Sequence, residues 1–82
     1  MNNKIKALLS LKGLNMTRYA EFMGMSKSSL GNKAKRGTWN SDDLIKLAQL
    51  TNTRLVFVDN ETSKELIAFD ENDIKKNLLP KR

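Results

Sequence analysis

Two residue types are missing from this 82-residue chain altogether: it has neither cysteine nor histidine. Without cysteine there is no disulfide framework and no thiolate zinc site. Without histidine the commonest general base and the commonest metal ligand are both gone. No apolar run approaches the ~18–20 residues of a membrane span, and the opening MNNKIKALLSLKG is too polar for a signal peptide, so a cytoplasmic protein is expected. Aromatic residues make up only 6% and proline occurs once, at Pro80; with 39% hydrophobic residues the chain can bury one small core. Acid is scarce where base is plentiful. Residues 1–51 hold nine Lys or Arg against three Asp or Glu, whereas residues 52–82 hold six of each. The whole excess of +6 therefore sits in the first part, and the stretch from Gly24 to Asn40 has four cations and no acid. A field of that sign suits a polyanion.

What is present reads as four helices and a hairpin. Residues 3–12 are amphipathic, with Ile5, Leu8 and Leu9 on one face and Lys4, Lys6 and Lys12 outside, and Gly13 ends the helix. Asn15 caps a short helix, MTRYAEFM, whose Tyr19, Ala20 and Met23 share a face. Gly24 closes it and Ser26 caps a third helix, from Lys27 to about Arg36, with Leu30 and Ala34 inward. A fourth starts after Asn40 or Ser41, with Asp42 and Asp43 at the favourable end of its dipole and Leu44, Leu47, Ala48 and Leu50 as its apolar stripe. Trp39, in the loop before it, is expected in the core between helices three and four. The methionines, Met23 and Met25 among them, read as gap-filling core residues.

Beyond Asn52 the pattern becomes β-like. TRLVFV (53–58) and ELIAF (65–69) flank the turn composition DNETSK, a hairpin. Asp70 is placed to cap a last short helix holding Ile74 and Leu78, ended by Pro80. The expected fold is mainly α (α+β): a helical core over residues 1–52, and a hairpin and tail helix over 53–82 within the same compact domain. A two-stranded hairpin is marginal alone in water, so it must pack on the helices, pair with another edge, or both. Leu55, Val56, Phe57 and Val58, with Leu66, Ile67 and Phe69, are the candidates for a homodimer contact.

Ala20, Gly24 and Leu30 have the spacing of a helix-turn-helix: a small residue at the crossing, a glycine in the turn and an aliphatic anchor in the second helix. Across Met16–Lys35, and on through KSSLGNKAKRGTWNSDDLIKLAQLT, the chain resembles the Cro/C1-type repressor class, the XRE family, over about residues 3–51. TRLVFVDNETSKELIAFDENDI resembles the hairpin extension of small phage and mobile-element members. The resemblance implies a double-stranded DNA-binding transcriptional regulator, a repressor reading a palindromic operator as a homodimer, with helix three in the major groove.

The side chains of helix three suit that role. Ser26, Lys27, Ser28 and Asn32 carry short or donor-bearing groups able to meet base edges: Asn pairs with adenine, Lys with guanine, Ser with either. Carried over by position, Asn15 and Thr17 would face one phosphate strand, and Lys35, Arg36, Thr38 and Asn40 another. Lys33 joins that group, although its position points it along the flank. Where the class often carries glutamine, at the starts of helices two and three, this chain has Met16 and Lys27 or Ser28, so glutamine-based adenine contacts are not implied.

Other functions are weaker readings. A protein-interaction module, such as an antitoxin, could use the same helical frame with the hairpin carrying specificity. An enzyme would have to use Asp70, Glu71 and Asp73, the one acidic cluster, which could hold Mg²⁺ but is better placed to cap the last helix. Membrane-surface binding by the first helix would consume the apolar face that the core requires. No catalytic residue, metal site or cofactor is assigned.

Overall fold

The computed structural model describes residues 1–74. Four helices, α1 (Asn2–Leu11), α2 (Met16–Met23), α3 (Lys27–Arg36) and α4 (Ser41–Thr51), precede an antiparallel hairpin, β1 (Leu55–Val58) and β2 (Glu65–Phe69), and a single 3₁₀ turn over Glu71–Asp73. No helix among the described residues is long and apolar enough to cross a membrane.

Local chemistry sets the helix ends. Asn15, Ser26 and Asn40 are the N-caps of α2, α3 and α4, each accepting a hydrogen bond from the backbone N–H three residues on. At the far ends a residue in the left-handed conformation reverses the chain. In the α2–α3 turn this is Gly24, at φ 71°, and the Met25 N–H closes back onto the Ala20 carbonyl at 3.0 Å. A side chain at Gly24 would meet no neighbour, so its requirement for glycine is one of backbone conformation and not of space.

The core is small and central. Ile5 and Leu9 of α1, Tyr19 and Ala20 of α2, Leu30 of α3 and Leu47 of α4 form one buried cluster. The stripe expected on α4 is displaced from the observed one. Ile45, Leu47 and Ala48 are buried together with Asp43 and Thr51, whereas Leu44 and Leu50 are half-buried. The reason is that α4 is covered from two sides: α2 packs on one, and β1 and the 3₁₀ turn on the other. Ile45 and Ala48 thus border a groove shared with Phe69 and Asp70.

Trp39 packs against the core cluster as expected, with its ring and N–H partners on α2 and α1. It is half-buried, its ring stacked on Tyr19 of α2 at 5.8 Å, and its indole N–H donates to the Asn2 side chain of α1 at 2.6 Å. A partner for the indole N–H is what a largely buried tryptophan requires.

The hairpin pairs Leu55 with Phe69, Val56 with Ala68, Phe57 with Ile67 and Val58 with Glu65, with a bulge between Phe57 and Val58. Its strands run as expected, β1 beginning two residues later, and Phe57 meets Phe69 edge to face at 5.8 Å. Over the described residues the tail makes one 3₁₀ turn that stops short of Ile74. Asp70 does cap a turn, in a reciprocal capping box with Asp73, but Ile74 leaves it in extended backbone and is buried. Those carboxylates serve the turn's own N–H groups, and among the described residues no three Asp or Glu side chains converge as a metal site. Leu78 and Pro80 lie outside the described residues.

Candidate nucleic-acid interface

The geometry of α3 follows from its composition. Leu30 is the one fully buried side chain of the helix, at 1% exposure, with Lys33 and Ala34 half-buried beside it. Burying a leucine contributes about 1.5–3 kcal/mol, enough to fix which way a ten-residue helix rolls. With that side inward, Lys27, Ser28, Gly31, Asn32 and Lys35 are all exposed, at the i, i+4 and i+7 spacing of one outer flank.

The expected base-reading residues therefore lie together on an open surface, with a difference for Ser26. Its Oγ accepts the Ser29 N–H at 3.1 Å and bonds the Ser29 hydroxyl at 2.9 Å. It is committed to capping and also shares a hydrogen bond with the Ser28 hydroxyl at 3.3 Å, and Lys27 and Asn32, with the exposed Ser28, carry the polar groups of the flank.

The expected phosphate-facing residues fall into two groups. At the start of α2, Asn15 is exposed but its Oδ1 holds the Arg18 N–H at 3.0 Å, and Thr17 is half-buried. The first N–H groups of α2 have no intrahelical partner, as at any helix start. In the last turn of α3 and just beyond it, Lys35, Arg36, Thr38 and Asn40 are exposed. Thr38 leans back on the Lys33 carbonyl at 3.5 Å, and Asn40 and Asp43 cap each other.

Lys33 is the exception. Its ammonium lies 2.9 Å from the Asp43 carboxylate, with side-chain exposures of 21% and 6%. Asp43 was expected only to favour the α4 dipole; it also receives the Asn40 N–H at 3.0 Å, and its carbonyl accepts the Tyr19 hydroxyl at 2.7 Å. Burial, helped by the nearby Asp43 charge, pushes the Tyr19 phenol well above its usual pKa. Lys33 is thus a structural cation tying α3 to α4, and its charge is already neutralised. Lys27, Lys35 and Arg36 make no ion pair among the described residues.

Sequence reasoning also missed Asn2. Its Nδ2 donates to the Ala34 carbonyl at 2.7 Å while its Oδ1 accepts from Trp39, so one amide clamps α1 to the C-terminal half of α3. A polar residue at a helix start has no signal that would separate a clamp from a solvated side chain.

The hairpin residues split by exposure. Leu55, Val56 and Phe69 are half-buried and, with Phe57 and with Ser41 and Leu44 of α4, line an apolar groove of about 260 Å³. Phe57, Val58, Leu66 and Ile67 are exposed, Phe57 by 65% and Ile67 by 59%. Four large apolar side chains exposed on one hairpin exceed the scattered exposure that needs no explanation.

No family model matches the chain, and neither a curated protein nor a solved structure matches it significantly.

Proposed function

We propose that this chain is a sequence-specific double-stranded DNA-binding regulator of the Cro/C1 helix-turn-helix type, a repressor that binds a palindromic operator as a homodimer. The observation that carries the reading is the outer flank of α3: Lys27, Ser28, Asn32 and Lys35 exposed together, around a glycine, on a helix anchored through Leu30. A helix enters a major groove about 12 Å wide only if nothing bulky surrounds it, and small polar side chains with amide and ammonium donors match base edges there. The N–H groups at the start of α2 and the cations Lys35 and Arg36 lie at the two ends of this unit, where phosphates flank a groove.

The exposed hairpin residues supply the second half of the reading. Phe57, Val58, Leu66 and Ile67 are the surface through which two copies associate, so that two α3 helices meet successive major grooves about 34 Å apart. The same exposed side chains favour one alternative, an antitoxin-like module that grips another protein through the hairpin. A Lys27→Ala/Asn32→Ala double variant that keeps a protein partner while the wild type shows no duplex preference would select that alternative.

The test is selection of bound duplexes from a random library. A palindromic motif with half-sites one turn apart is the expected result. A library that emerges unenriched would refute the reading.

A further inference from the structure

The outer flank of α3 is bordered on the α1 side by a groove of about 580 Å³. Lys6 of α1 and Met16 of α2 form one wall, and Lys27, Gly31, Asn32 and Lys35 the other. Among the described residues no acidic side chain lines it. Lys6 and Lys35 are exposed, as is Lys27, and none of the three makes an ion pair among the described residues. At Gly31 no atom apart from the adjacent residues and α3's own backbone lies within 4 Å of where a Cβ would stand, so the α3 wall is open down to the helix backbone.

The position of the α1 wall is fixed. Asn2, one turn before Lys6 on the same flank, is held to the Ala34 carbonyl and to Trp39, and Ile5, next to Lys6, is buried at 3% exposure. Lys6 therefore stands on a docked helix. Three like charges around one concavity repel each other until an anion arrives, and a concave wall concentrates their field.

The spread of these charges indicates the shape of the anion. Lys27 and Lys35 are separated by about 12 Å of helix rise. That span is too long for a single phosphate ion and suits successive phosphates along one strand. We infer that the groove between α1 and α3 receives one sugar–phosphate strand of the bound duplex, with Lys6 as a phosphate contact contributed by α1. This rests on the DNA-binding reading and adds a third element to the interface. Lys35 faces the same strand from the opposite wall, with Lys27 at the other end of that wall, while Ser28 and Asn32 remain directed at base edges.

Lys4 provides the control. It is exposed on α1, flanks Ile5 on the other side, and does not line the groove. Full-length wild type, Lys6→Gln and Lys4→Gln are titrated with the duplex that wild type prefers and with an unrelated duplex, from 50 to 200 mM salt. Lys6→Gln is expected to weaken binding to both duplexes by a similar factor. It should also flatten log K against log salt by about 0.9 per protomer, so that the salt-induced loss is about three- to fourfold smaller per protomer. Lys4→Gln, with the same change in net charge, should leave the slope as in wild type, and all three proteins should melt at the same temperature. Equal slopes for the two variants, or a wild-type slope for Lys6→Gln, would overturn the inference while leaving DNA binding in place. Wild type that ignores both duplexes would overturn the DNA-binding reading and this inference together.

Discussion

Replacing Gly31 with alanine should make the protein more stable and a poorer DNA binder. Gly31 lies inside α3, four residues from its start, in ordinary helical backbone and exposed. A methyl group there meets nothing within 4 Å, so no steric cost opposes the gain in helix propensity. That gain is about 0.5–1 kcal/mol, because glycine loses more backbone freedom on folding than alanine. At roughly 4–8 °C per kcal/mol for a domain of this size, the melting temperature should rise by about 2–8 °C. If the α3 backbone closes onto DNA at this position, the same methyl is an intrusion into a packed interface. Overpacking costs about 1–3 kcal/mol, which is a loss of roughly 5- to 150-fold in affinity. Scanning calorimetry and fluorescence anisotropy on the duplex preferred by wild type read the two quantities separately. A variant that is more stable and binds as well as wild type would refute the reasoning: Gly31 would then be a tolerated helix defect.

Three further substitutions test other parts of the account. Lys33→Met leaves the buried Asp43 carboxylate with one partner fewer and should cost about 1–3 kcal/mol in denaturant unfolding. The slope of log K against log salt should stay unchanged, because Lys33 is already neutralised; a slope flattened as by Lys35→Gln would contradict this. Tyr19 should give the wild type an alkaline limit. Its folded pKa is raised by burial, so its contribution is complete below the unfolded value of about 10 and is lost as pH rises through and above that value. Stability measured from pH 9 to 11 should fall more steeply in wild type than in Tyr19→Phe, and parallel curves would exclude the mechanism. Ile67→Glu, at a site 59% exposed, should leave monomer stability within about 0.5 kcal/mol of wild type, as exposed sites away from special features do. Sedimentation should report a monomer in place of a dimer, and a dimer that persists would remove the hairpin from the interface.

Much of the helical frame was legible because it is specified locally. Asn15, Ser26 and Asn40 announce their helices by side-chain chemistry acting over three residues, and Gly24 marks its turn by a conformation that other residues resist. The hairpin was legible for the same reason, through β-branched residues around turn composition. What failed needed the third dimension. Leu44, Ile45, Leu47 and Ala48 span so wide an arc of α4 that periodicity alone could not rank them, and packing on two sides decided for Ile45. Asp43 looked like a first-turn carboxylate because nothing local reveals that Lys33 lies 2.9 Å away across the α3–α4 turn. Within the proposed interface the α3 flank was readable from the spacing of Ser28 and Asn32. The opposing wall was not, since Lys6 is far from them in sequence and it takes the packing of Ile5 and Leu9, with the Asn2 clamp, to bring α1 alongside.

The central claim is that DNA meets the protein along the outer flank of α3. Backbone amide chemical shifts of labelled protein, followed as the preferred duplex is added, test it residue by residue. The account predicts that the largest changes fall on residues 27–35 and at the start of α2, with the exposed residues of β1 and β2 little affected. Changes concentrated on the hairpin, with Lys27–Lys35 unmoved, would contradict it.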